Sequence, residues 1–216
     1  MTRQERIARF ENVDLYPVIS EAFSAGRTSL QILDAVILGG AKIAQLREKE
    51  MPLAQLYELA LAFRRRTADA GVLMIVNDRV DLALAVEADG VHLGQDDLPL
   101  SAARRLAPDL LLGRSTHNLA QALEAQEQGA DYVNIGPIFP TGTKPEHTVF
   151  LGPEAIREIA PHLRVPFTVM GGINATNIDA VVAAGARRVA VVTAVTRSAD
   201  VAAAVCELRQ RIRRPA

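Results

Sequence analysis

The chain has 216 residues, a formal net charge of −1, and 49% apolar residues, of which few are aromatic. A balance this close to neutral leaves no basic face for nucleic acid or an anionic membrane surface. The opening Met1-Thr2-Arg3-Gln4-Glu5-Arg6 carries neither a secretory signal nor a long apolar span, so a reducing cytoplasm is the expected setting. The basic clusters Arg64-Arg65-Arg66 and 209–214 fall on helical patterns and read as solvated helix faces. The single cysteine, Cys206, lies in an apolar helical pattern and reads as a small buried hydrophobe.

Residues 1–13 read as a charged arm or short helix, ahead of a domain spanning 14–216. From there the punctuation is regular. Strand patterns at 15–19, 42–46, 72–76 and 91–93 are each followed by a helical pattern, at 29–38, 53–70, 79–88 and 99–106. The second half repeats the rhythm, with strands at 110–113, 132–135, 167–170 and 189–192 and helices at 119–128, 153–160, 174–184 and 200–211. Asn118 reads as the cap of its helix. Four helix-to-strand joins look alike, at Gly39-Gly40, Asp89-Gly90, Gly129 and Gly185. Glycine suits the residue after a helix because it takes the left-handed conformation freely. Strict alternation predicts a parallel sheet, and eight units predict closure into an α/β (β/α)8 TIM barrel, with chemistry at the C-terminal ends of the strands. A doubly wound open sheet is the structural competitor.

Polar residues cluster just after the strands. Strands three and four end in Asn77-Asp78-Arg79 and Gln95-Asp96-Asp97. In adjacent parallel strands, Asp78 and Asp97 emerge at the same end of the sheet, a natural seat for Mg²⁺. After strand two, Gln45, Arg47 and Lys49 alternate along one face and grip an anion, Arg as a fork and Lys as a point charge. Neutralisation of this layer by Glu48 or Glu50 is the competing, purely structural reading. His92 within strand four reads as a satisfied core residue. Ser115 and His117 end strand five, with no local acid to complete a nucleophilic triad. The longest loop, 140–152, brings Thr141, Thr143 and Lys144, and reads as a lid over a phosphate. Gly171-Gly172 after strand seven and Val192-Thr193 after strand eight form a second anion site, at a position this barrel often uses for phosphate. Together these predict a diphosphate carried with Mg²⁺ beside a monophosphate.

The motifs Gln45-Leu46-Arg47-Glu48-Lys49, Asn77-Asp78-Arg79-Val80-Asp81, 90–97, Gly136-Pro137-Ile138-Phe139-Pro140-Thr141 with Thr143-Lys144, and Gly171-Gly172-Ile173 resemble those of the thiamine-phosphate synthase (thiamine-phosphate pyrophosphorylase) family, in its order. The resemblance implies a TIM barrel that joins hydroxymethylpyrimidine diphosphate to thiazole phosphate and releases pyrophosphate. It implies that Gln45, Arg47, Lys49 and Asn77 hold the pyrimidine diphosphate, that Asp78 and Asp97 ligate Mg²⁺, that Ser115 lies near the pyrimidine and that Lys144 meets the leaving pyrophosphate. Thr141, Thr143, Gly172, Val192 and Thr193 resemble the positions that contact the thiazole phosphate. Lys49, Lys144 and Ser115 then carry the catalysis. Thr193 stands where the family commonly has Ser, and Met170 where Ile is more usual. Two alternatives compete: a thiazole tautomerase using His117, and a non-catalytic barrel that binds a phosphorylated ligand. The sequence carries no signal for oligomeric state, and a homodimer is the default.

Overall fold

The structure, a computed structural model, describes residues 1–143 and 149–214. Eight parallel strands close into a barrel in chain order: β1 (Leu15–Ile19), β2 (Ile43–Leu46), β3 (Leu73–Asn77), β4 (Gly90–Leu93), β5 (Leu111–Thr116), β6 (Tyr132–Ile135), β7 (Phe167–Val169) and β8 (Val189–Val191). The ring is closed by pairing of β1 with both β2 and β8. The open-sheet alternative is therefore excluded.

The strands read as unbroken apolar runs because both of their faces are buried. In β3, Leu73 and Ile75 point into the barrel with Tyr16, Val18, Ile43, Leu111 and Tyr132. Met74 and Val76 point outward into the layer between sheet and helices. That outer layer is covered by α2 (Ser29–Leu38), α3 (Leu53–Asp69), α4 (Val80–Ala85), α5 (Leu100–Leu106), α6 (Leu119–Glu127), α7 (Glu154–Ile159), α8 (Ile178–Ala183), α9 (Thr193–Thr196) and α10 (Val201–Arg213), which follow α1 (Arg3–Glu11). Asn118 caps α6, its side chain accepting from the Gln121 N–H at 2.9 Å. No helix among the described residues is long and apolar enough to cross a membrane.

The joins are not all alike. Gly129 and Gly185 do take positive φ after their helices. Gly90 does not: Glu87, at φ 54°, fills the left-handed position after α4. Gly90 is required for a different reason, because a Cβ there would lie 2.6 Å from the Leu111 carbonyl oxygen.

Helix α1 closes the N-terminal end of the barrel. Phe10 is 1% exposed and stacks on Tyr132, with ring centroids 4.3 Å apart. Around it, three buried acids begin strands or precede them. Asp14 accepts from the Leu15 N–H, Asp89 from Met74 and Asp131 from Leu112, at 2.6, 2.8 and 2.8 Å. Arginines from the surrounding helices neutralise them: Arg209 and Arg213 on Asp14, Arg64 on Asp89, and Arg3 and Arg104 on Asp131. Arg64 and Arg209 are thus structural braces and not solvated faces, while Arg213 braces Asp14 from an exposed position. Cys206 is exposed, contrary to expectation. The buried stripe of α10 runs Val201, Val205, Leu208, Ile212, and Cys206 falls one residue off it.

Candidate active site

The polar residues after the strands converge on a cleft of about 640 Å³ at the C-terminal face. Gln45 and Arg47 enter from the end of β2, Asn77 from β3, His92 from β4, and Ser115 and His117 from the end of β5. Past the end of β2, Lys49 Nζ reaches Asp78 Oδ2 at 3.4 Å. Glu48 points away from this face. It accepts from Ser29 Oγ at 2.6 Å and from the Glu21 N–H at 2.8 Å, so it ties down the loop after β1. Burial pushes the Glu48 carboxyl above its ordinary range despite these bonds.

Asp78 sits at the centre of a tight three-residue turn at φ 62°, in which the Arg79 N–H donates to the Asn77 carbonyl at 2.7 Å. This turn is rare and strained for a residue with a side chain, and such outliers cluster at functional sites. Its N–H is held by the His92 carbonyl at 2.8 Å. The turn brings the Asp78 carboxylate within hydrogen-bonding reach of Asp97. Burial and then the Asp97 carboxyl push Asp78 upward, while Lys49 pulls the other way. Asp97 is oriented by the Gly94 N–H, which donates to its Oδ2 at 2.6 Å. Two half-buried carboxylates pressed together against one lysine suit a divalent cation, which relieves their repulsion. No group of three or more His, Cys, Asp or Glu is assembled for a metal among the described residues.

A second cavity, of about 280 Å³, opens beside the cleft and is lined by Thr141, Thr143, Gly172, Val192 and Thr193. The loop after β6 is fastened to the loop after β7, with the Ile138 and Phe139 N–H groups donating to Met170 and Gly171 at 2.9 and 3.0 Å. Gly172 allows this closeness: its φ is 63°, and a Cβ there would collide with the Pro140 carbonyl oxygen and sit 2.9 Å from Phe139 Cβ. Lys144, and with it part of the 140–152 loop expected to act as a lid, lies outside the described residues.

His117 donates its Nδ1–H to the Gly136 carbonyl at 2.5 Å. His92 is more than a filler of the core. Its Nε2 lies 2.9 Å from Ser115 Oγ, and its Nδ1 lies 3.1 Å from the Tyr132 hydroxyl. Tyr132 in turn meets the Tyr16 hydroxyl at 3.0 Å, and Gln45 Nε2 donates to Tyr16 at 2.8 Å. Burial, foremost, raises both phenols above their ordinary range, so they remain protonated. Sequence reasoning passed over Tyr16 and Tyr132. The signal was there: an aromatic hydroxyl at an inward strand position needs a buried partner.

A closed (β/α)8 barrel with a cationic cleft, paired carboxylates and a glycine-lined pocket at its C-terminal face defines an enzyme that handles small phosphorylated substrates. Residues 15–195 match the thiamine monophosphate synthase family. The chain is 48% identical over 203 residues to the thiamine-phosphate synthase of Chloroflexus aurantiacus, covering 94% of each. It is 46% identical over 202 residues to that of Moorella thermoacetica, covering 93% of this chain and 96% of the other. The thiamine phosphate pyrophosphorylase of Pyrococcus furiosus superposes with a TM-score of 0.86 at 36% identity, over 93% of this chain and 95% of that one. The chain belongs to the thiamine monophosphate synthase family.

Proposed function

We propose that the chain joins 4-amino-2-methyl-5-hydroxymethylpyrimidine diphosphate to thiazole phosphate, giving thiamine phosphate and pyrophosphate, by a dissociative route. The observation that supports it most directly is the pairing of the Asp78 and Asp97 carboxylates beside Lys49, next in the chain to Asn77, which lines the Gln45–Arg47 cleft. Gln45, Asn77 and Ser115 hold the pyrimidine and its diphosphate in the cleft. Arg47, Lys49 and Lys144 draw off the charge that builds on the leaving pyrophosphate. Mg²⁺ held by Asp78 and Asp97 supplies further neutralisation of that charge when bound. An electron-rich pyrimidine carries the resulting carbocation, so no protein nucleophile is needed, and the chain's task is placement. Thr141, Thr143, Gly172, Val192 and Thr193 grip the thiazole phosphate, presenting the ring nitrogen to the carbocation.

A tautomerase working through His117 has no use for a diphosphate grip or a carboxylate pair, so the synthase reading is preferred. The test is pyrophosphate release from both substrates, with Mg²⁺ and then with chelator. Release that requires both substrates and the metal is the expected result. No release from folded, Mg²⁺-supplied protein, with thiazole isomerisation lost in His117→Ala, would favour the tautomerase instead.

A further inference from the structure

We propose that Tyr16 and Tyr132 are positioning residues that set the hydrogen-bonding polarity of Gln45 and Ser115, through a single directed chain of bonds across the barrel floor. The inference rests on the pyrimidine reading of the cleft and adds to it how two of the cleft's side chains are oriented.

The argument is one of donor and acceptor accounting. A phenol has one hydrogen to give. Tyr16 and Tyr132 are 2% and 0% exposed, so neither hydrogen can go to bulk water. Gln45 Nε2 donates to the Tyr16 oxygen. If Tyr132 donated to that oxygen as well, the Tyr16 hydrogen would be stranded in an enclosed site, at a cost of about 1–3 kcal/mol. Tyr16 therefore donates to Tyr132, across 3.0 Å. The Tyr132 hydrogen then goes to His92 Nδ1, across 3.1 Å. An imidazole that accepts at Nδ1 is neutral and carries its hydrogen on Nε2. That hydrogen is donated to Ser115 Oγ, across 2.9 Å. Neither phenolic oxygen is left without a partner, as this wiring requires.

Both ends of the chain open on the cleft. At one end Gln45, with its nitrogen engaged by Tyr16, presents its carbonyl oxygen as an acceptor. At the other, Ser115 accepts from His92 and has its own hydrogen to give. The cleft therefore offers an acceptor and a donor together, which fits a ligand carrying an amino group and an unprotonated ring nitrogen, as an aminopyrimidine does. Hydrogen bonds in such a chain polarise one another, so the two ends are coupled. The geometry depends on Gly113, where a Cβ would lie 2.6 Å from His92 Nδ1 and collide with the Tyr132 ring. Phe10, stacked beneath Tyr132, holds the phenol from the other side.

The test is the tautomer of His92 in the substrate-free protein, read from a multiple-bond ¹⁵N–¹H spectrum of histidine-labelled chain, with the signal assigned by its loss in His92→Gln. The expected result is a neutral ring with hydrogen on Nε2. Tyr132→Phe should lose that preference and raise KM for the pyrimidine diphosphate about tenfold, the weight of one neutral hydrogen bond. KM for thiazole phosphate should hold. Tyr16→Phe keeps the Tyr132-to-His92 bond, so it should preserve the tautomer while still raising KM for the pyrimidine diphosphate. It also serves if Tyr132→Phe does not fold. Hydrogen on Nδ1, or on both nitrogens, would overturn the wiring. So would a folded Tyr132→Phe with unchanged KM. The spectrum needs no substrate, so the wiring and the assigned activity fail independently.

Discussion

Asp131 offers the sharpest test of how the barrel is held. Its side chain is 1% exposed, and its two oxygens meet three donors: the Leu112 N–H at 2.8 Å, Arg104 at 2.6 Å and Arg3 at 2.7 Å. Asp131→Asn keeps the shape and an oxygen for Leu112, but removes the counter-charge. The Arg3 pair is 41% exposed on the arginine side and is worth at most about 1 kcal/mol. Arg104 is only 20% exposed, and breaking a buried pair of that kind costs about 3–5 kcal/mol. Arg104 still has the Pro108, Leu110 and Gly129 carbonyls to donate to, which places the cost at the lower end, about 3 kcal/mol. Asp131→Ala also orphans the Leu112 N–H and should cost about 1–3 kcal/mol more. In a chain of this size, Asn should lower Tm by roughly 6–12 °C. Urea unfolding followed by far-ultraviolet circular dichroism measures the difference. A loss under about 0.5 kcal/mol for Asn, or an alanine variant no worse than asparagine, would refute the argument.

Other outcomes follow from the same geometry. Asp97→Asn should leave the fold intact and cut Mg²⁺-dependent turnover by about a hundredfold, the weight of one well-placed electrostatic group; near-normal kcat would remove Asp97 from the metal site. Gly172→Ala must force a side chain into φ 63° against the Pro140 carbonyl. It should destabilise the protein by about 1–3 kcal/mol and raise KM for thiazole phosphate more than for the pyrimidine diphosphate. Burial works to raise the Asp14 carboxyl, but the bonds from Arg209 and the Leu15 N–H, with the charges of Arg209 and Arg213, hold it below its ordinary 3.8. A depressed folded pKa stabilises above the unfolded value, so the stability gap between wild type and Asp14→Asn should be full at neutral pH and shrink as pH falls below 3.8. A gap that widened in acid would reverse the sign.

The barrel itself was legible because its signals are local and repeated. An apolar run ending in polar residues, then a helix, recurs eight times, and each polar ending falls on the same rim. The cleft was legible for the same reason, with Asn77 at a strand end and Gln45 and Ser115 each one residue before one. What stayed hidden depends on partners distant in the chain. Phe10 looks like one apolar residue in a charged arm, since α1 buries only Arg6 and Phe10. Asp89 and Asp131 look like the polar half of a turn until the arginines of other helices are placed over them. Tyr16 and Tyr132 look like ordinary strand aromatics, because nothing local shows that their hydroxyls meet. Cys206 was misjudged by one residue, the margin by which a 3.6-residue period can miss a buried stripe.

Helix α1 also carries a consequence for the order in which the molecule is made. It is synthesised before every strand of the barrel, yet Arg3 pairs with an aspartate 128 residues further along. At ordinary rates of translation, roughly ten seconds pass before that aspartate exists. A nine-residue helix is too short to persist alone in water for that interval. The segment therefore waits as coil, and seats only when β5 and β6 stand ready to receive Phe10. The floor of the barrel is begun before its strands and laid after them, and a nascent chain halted before residue 131 lacks the partner that pins it.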